Sequence, residues 1–338
     1  MPFEIPAPGT TCTACHSMGR ACILDTRINR IRNRETEFRI LQNRMIDCAF
    51  EAFTPGTDAD PDPGRPFATY LDQVKANTVA AGRAIYGTDF ASTIQQVGKV
   101  GGDIYEILEA AAIWNAVAAW NQLMDTDNWS STVFQRPPDA IATPTRKVAV
   151  IKLPRGYDST RLFNEKTRRD YLAFQAALER SGMELRMSSP DIVGVRIPEP
   201  MPDGFAQFLQ PLPDLRDVTR ARLESAHESI VGTLDARNFL FAVAVKTSTR
   251  SDRLYQPLFE ANVLKFLIGY VLHGGAFRFH VHMGTFDGAA VENRYRAASL
   301  TALMMGGAPT RAIDVTYRAV APRETAQLIL DELPSFPL

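Results

Sequence analysis

The sequence predicts an α/β protein built on a central mixed sheet flanked by helices, and three observations lead there. Phe239 to Val245 is an unbroken apolar run of strand length that stops at Lys246, the pattern of one buried strand. Residues 102 to 125, GDIYEILEAAAIWNAVAAWNQLMD, are apolar nearly all round and read as a helix buried on several sides. Strand-like and helix-like stretches alternate from residue 147 to residue 305, the order that layers helices on a sheet.

Composition leaves room for such a core. The chain has 338 residues, 45% of them hydrophobic, enough for one large domain or two. Its net charge of −1 gives no global pull toward nucleic acid, so an anionic partner would have to meet a local patch. Of the 37 basic residues, 30 are Arg. Coding bias produces such a ratio, and Arg also suits bidentate recognition of phosphate or guanine. No apolar run reaches about 18 residues. The start, MPFEIPAPG, has no basic stretch followed by an apolar core. Together these point to a soluble, cytoplasmic protein.

Near the N-terminus, Cys12-Thr-Ala-Cys15-His16 fits the C-x-x-C-H pattern of haem attachment, but no export signal accompanies it. Zinc held by Cys12, Cys15, His16 and Cys22 is chemically allowed, although the spacing matches no common finger. Unligated thiols are the simpler reading. Residues 23–50 read as a helix approached by six arginines, at 27, 30, 32, 34, 39 and 44. They form either a solvated face or an arm that reaches a nucleic-acid backbone or minor groove. TPGTDADPDPGRP, residues 54–66, is a loop and marks the boundary between an N-terminal subdomain, 1–66, and the rest, 67–338.

On the long helix, Glu106 heads a stripe of Ala110, Ile113, Val117, Trp120 and Met124. Buried, it would need a cation, a donor cluster or a metal. In the first turn with its head in water, it would need only the helix dipole. KVAVIKL, Lys147 to Leu153, reads as a strand, Asn164 to Arg180 as a helix stopped by Gly182, and SSPDIVGVRI, Ser188 to Ile197, as a short strand with Asp191 near its start. An acid in a β-favouring run breaks a local rule and hints at function. A helical stretch, Leu215 to Leu234, leads to the strand ending at Lys246. Leu254 to Leu272 is the next helix and carries Glu260; a strand at Ala276 to His282 and a helix at Glu292 to Met305 follow.

By itself, Lys246 reads as a strand end with a solvated turn. One Lys with two or three carboxylates is nonetheless the kit for metal-assisted phosphodiester hydrolysis. The carboxylates hold Mg²⁺, and the ammonium orients the nucleophile. The segment behind the lysine, Arg250-Ser251-Asp252-Arg253, carries groups that read base edges. Arg grips guanine O6 and N7, and Asp accepts from cytosine N4.

These residues fall in an order that resembles the SgrAI-like type II restriction endonucleases, the group with a CCGG core in its site and a PD-(D/E)xK fold. The likeness lies in RNRETEF (Arg32 to Phe38), KVGGDIYEILEAAAIWN (Lys99 to Asn115), SPD (Ser189 to Asp191) and RSDRLYQPLFEAN (Arg250 to Asn262). The spacings fit as well: 55 residues from Asp191 to Lys246, 4 to Arg250 and 14 to Glu260. The superfamily's usual acid two residues before the lysine is here Ala244, and in the CCGG group an acid on the following helix replaces it, which implies Glu260.

The resemblance implies a Mg²⁺-dependent nuclease making double-strand cuts in double-stranded DNA, with Asp191, Glu260 and Glu106 at the metal and Lys246 beside the attacking water. Cleavage would leave 5′-phosphate and 3′-hydroxyl ends. Arg250, Asp252 and Arg253 would read the CCGG core, Arg34 outer base pairs, and Lys99 the DNA near the scissile phosphate. A palindrome implies a homodimer, and the group also includes tetramers and larger DNA-bound assemblies. His280 and His282 share a strand face without a nearby third ligand, so they read as half-buried or surface residues. A less specific repair or recombination nuclease, a zinc or redox protein built on the N-terminal cysteines, and a DNA-binding protein without catalysis are the alternatives.

Overall fold

The computed structural model describes residues 24–32, 35–40, 46, 50, 64–72, 75–76 and 79, then 94–338 except 139–145, 188, 248–250, 285–290, 305–308 and 319. Cys12, Cys15, His16, Cys22, Arg34 and Arg250 lie outside these residues. The chain divides into two compact units, Met1–Leu108 with Pro213–Arg220, and Glu109–Leu212 with Ala221–Leu338. Among the described residues no helix is long and apolar enough to cross a membrane.

In the first unit, β1 (Leu24–Arg32) and β2 (Glu35–Ile40) pair antiparallel, with a register shift between Asp25 and Asn29. The helix expected over residues 23–50 is therefore a hairpin in this part. The sequence carries the reason: Glu35, Glu37 and Arg39 alternate with Thr36, Phe38 and Ile40, a period of two that the arginine count obscured. Helix α1 (Ile94–Thr126) begins in this unit, eight residues before the apolar stretch that signals it, and continues in the second. Within the part of α1 that belongs to this unit, Tyr105 packs on Phe67 with ring centroids 4.7 Å apart.

The second unit holds a five-stranded sheet in the order β3 (Val148–Lys152), β4 (Ile192–Arg196), β5 (Phe239–Lys246), β6 (Arg278–Met283), β7 (Val315–Arg318). The pairs β3–β4 and β4–β5 are antiparallel, whereas β5–β6 and β6–β7 are parallel. The sheet is thus mixed, as expected. All eight residues of β5 are buried, in keeping with its unbroken apolar run. Gly194 of β4 is required by its neighbour: a Cβ there would lie 2.1 Å from the Phe241 ring of β5. Polar side chains on the apolar α1 find backbone partners. Asn121 exchanges two hydrogen bonds with Val148, and Asn115 does the same with Leu212.

Helix α2 (Glu165–Glu179) starts where Asn164 accepts from the Thr167 N–H, and α3 (Asp217–Ser225) tightens into a 3₁₀ turn over Ala226–Ile230. Helix α4 (Ser251–Lys265) follows β5 and runs into a π-turn, Phe266–Val271. The single helix expected over 292–305 is two, α5 (Val291–Tyr295) and α6 (Leu300–Met304). The interruption pairs with another segment: Ala298 bridges Arg311, and the Ser299 N–H donates to Thr310. Strand β7 and helix α7 (Pro322–Glu332) had no sequence expectation. A four-residue strand of VTYR shows too few alternations to announce itself.

Candidate active site

Asp191 extends β4 by one residue. Its N–H donates to the Val243 carbonyl, and its own carbonyl accepts from Leu153. Since Ile192 pairs with Val243, Asp191 stands opposite Ala244, on the face to which Lys246 also belongs. The strand partner that would satisfy the Val245 N–H is missing at this point because β4 has not yet begun. The Asp191 carboxylate takes that role, accepting from Val245 at 2.6 Å through Oδ2. The same oxygen meets the Lys246 ammonium at 3.4 Å. The two side chains are 24% and 10% exposed, so their attraction works in a largely desolvated setting.

Glu260 lies in the third turn of α4 and is fully buried. Its Oε1 accepts from the Gln256 amide at 2.8 Å. Burial pushes the Tyr295 phenol up, and the negative charge of Glu260 raises it further, so the two groups are neighbours. Glu260 is not part of the Asp191–Lys246 contact. Glu106 is half-buried in the portion of α1 that belongs to the first unit. Lys99 lies on α1, and Asp252 and Arg253 lie on the first turn of α4; their side chains are outside the described residues.

Sequence reasoning missed a carboxylate. Glu109 of α1, one turn beyond Glu106, is wholly buried and meets His282 Nδ1 at 3.3 Å through Oε2. The Thr325 hydroxyl of α7 donates to its Oε1. His280 meets Glu332 at 3.1 Å, as does Arg278. Both histidines are 0% exposed, which corrects the expectation that they are half-buried or at the surface. Met283 pairs with Lys246 and His282 with Val245, so the histidines face the side of the sheet opposite the Lys246 side chain. They belong to the packing beneath α7. Burial pushes the His282 imidazole down, and Glu109 works against that. Burial works to raise the Glu332 carboxyl, but His280 and Arg278 hold it below its ordinary range.

No group of three or more His, Cys, Asp or Glu side chains among the described residues is set to hold a metal ion. The donors present fit a hard divalent cation. Mg²⁺ is usually held by one or two carboxylates, with water and substrate phosphate completing the shell, and it rarely uses an all-protein cage. Asp191 and Glu260 are carboxylates of this kind, and among the described residues the Asp191 carboxylate meets a backbone N–H and an ammonium.

A family model described as Cfr10I/Bse634I restriction endonuclease matches residues 64–333, well over half of the chain. Two of the solved structures that share the fold are of the same enzyme. The restriction endonuclease Bse634I with cognate DNA, described as type IIF, superposes with a TM-score of 0.68 at 18% identity, over 91% of this chain and 96% of that one. A further Bse634I structure gives the same score and identity over 92% and 97%. No curated protein matches the chain.

Proposed function

The chain belongs to the Cfr10I/Bse634I restriction endonuclease family and is a type II site-specific deoxyribonuclease, and from that premise we propose that it cuts palindromic DNA with a CCGG core using Mg²⁺. The observation that supports this reading is the meeting of Asp191 and Lys246 at the end of β4 and β5, although 55 residues separate them in the chain. An acid and an ammonium on one sheet face can flank a scissile phosphate.

In this reading Asp191 and Glu260 hold the cation, and the resemblance assigns Glu106 to the metal as well. When bound, Mg²⁺ polarises the phosphoryl oxygen and acidifies water. The Lys246 ammonium orients the attacking water and offsets the charge that grows on the phosphate. Asp191 keeps Lys246 at the sheet end and is itself fixed by the Val245 N–H. Water attacks phosphorus, the bond to the 3′ oxygen breaks, and that oxygen takes a proton. The products are a 5′-phosphate and a 3′-hydroxyl.

Arg250, Asp252 and Arg253, four to seven residues after Lys246, read the C and G edges in the major groove. Arg34, on an arm within residues 1–66, reads outer base pairs, and Lys99 contacts phosphate near the cut. The core of 67–338 acts as a homodimer, because a palindrome presents two equivalent half-sites. Plasmids that differ only in CCGG-containing sites test the proposal, incubated with Mg²⁺ and then with EDTA. Discrete fragments from CCGG plasmids in Mg²⁺ alone are expected. Uniform degradation would point to a less specific nuclease, and shifted mobility without cutting to a binding protein.

A further inference from the structure

Glu260 is sealed from solvent, yet a side chain that hydrogen-bonds to it reaches in from the surface. Gln256 is exposed, and its Nε2 donates to Glu260 Oε1 over 2.8 Å. Residues four apart share one helix face, so α4 itself brings the amide over the carboxylate. Tying down a Gln side chain sacrifices rotamer freedom, which a bond to a charged, immobile acceptor offsets. The surroundings are braced as well. The Arg294 guanidinium of α5 lies over the ring of Tyr255, next to Gln256, at 5.4 Å. The following residue, Tyr295, is buried and feels the charge of Glu260.

We propose that Gln256 is a positioning residue: its amide fixes the Glu260 carboxylate in the single orientation in which it meets the divalent cation. Metal-ligating carboxylates are commonly oriented by hydrogen bonds of this kind. The inference rests on Glu260 being a metal ligand, as proposed above. It adds a role for a residue that acts on the cation through Glu260.

Mn²⁺ serves as the probe. Binding is followed by electron paramagnetic resonance in full-length Lys246→Ala protein, bound to a DNA fragment that the native enzyme cuts. Three variants are made in that background: Gln256→Met, which keeps length and removes the donor, Glu260→Gln, and the double substitution. Gln256→Met is expected to weaken Mn²⁺ binding about tenfold with the thermal midpoint unchanged. Glu260→Gln is expected to weaken it more, and the double variant no further than Glu260→Gln alone. In the native background, Gln256→Met should raise the Mn²⁺ concentration for half-maximal cleavage by a similar factor, with DNA affinity unaltered. Weaker binding in Glu260→Gln but unchanged binding in Gln256→Met would overturn this inference and leave Glu260 as a ligand. Unchanged binding in Glu260→Gln, or no Mn²⁺ uptake by the parent, would overturn the ligand reading and this inference with it.

Discussion

Asp191 uses one oxygen for two purposes, which makes charge and hydrogen bonding separable at this residue. Asn at position 191 still accepts from the Val245 N–H but no longer attracts the Lys246 ammonium or a cation. Asp191→Asn should therefore lose cleavage by about 100-fold or more with little change in stability. Asp191→Ala removes the acceptor as well and leaves a backbone donor unmet, which should cost a further 1–3 kcal/mol or about that. Urea unfolding read beside plasmid cleavage separates the two variants; equal stability would remove the structural half of this account. Lys246→Ala should retain DNA binding in a mobility-shift assay and lose most cutting. Undiminished cutting would remove Lys246 from the mechanism.

At the scale of elements, the site depends on how β4 lies against β5. The two strands meet closely because Gly194 leaves room for the Phe241 ring, to which a Cβ would come within 2.1 Å. Gly194→Ala must push the ring or the strand aside, and overpacking of this kind costs about 1–3 kcal/mol or more. A shift of β4 would carry Asp191 with it, since Ile192 to Arg196 and Asp191 form one continuous segment. Gly194→Ala is expected to lower the urea midpoint and cleavage together, and adding Phe241→Leu should recover part of both. A Gly194→Ala protein as stable and active as the native one would show that the strands have slack here. Helix α4 makes the companion contribution, carrying Asp252 and Arg253, proposed above to read base edges, in its first turn and Glu260 in its third.

Across the whole molecule, the sheet face away from Lys246 is where the second unit should respond to pH. His282 faces Glu109 of α1, with Thr325 and Glu332 of α7, Arg278 and His280 of β6 and Tyr317 of β7 around it. The Tyr317 phenol is pushed up to about 12 by burial and by Glu324, so it stays protonated. His282 is held below its ordinary value of 6.5. Below that pH the unfolded chain binds a proton that the folded imidazole refuses, so stability falls as the pH drops from 6.5 toward the folded value. Glu332 acts in the same direction at lower pH: its carboxyl is held low, and its contribution is lost as it protonates. The stability of the native protein to urea should decline as the pH falls below about 6.5, and His282→Gln should flatten that slope. An identical slope in the variant would assign the acid sensitivity elsewhere.

What the sequence determined by itself was whatever depends on local pattern or on order along the chain. The apolar run of β5, the buried helix α1, the helix expected from Asn164 to Arg180 and the order Asp191, Lys246, Glu260 are of this kind, because strand and helix periods are written within a few residues. Only the tertiary structure decided which groups meet. It paired Leu24–Arg32 with Glu35–Ile40 as strands, divided the helix expected at 292–305, and paired Glu109 with His282, 173 residues away. It also gave the Asp191 carboxylate the Val245 N–H as a partner and placed Gln256 over Glu260. A buried polar group needs a partner wherever the chain can supply one, and the periodicity around that group does not say where the partner will come from.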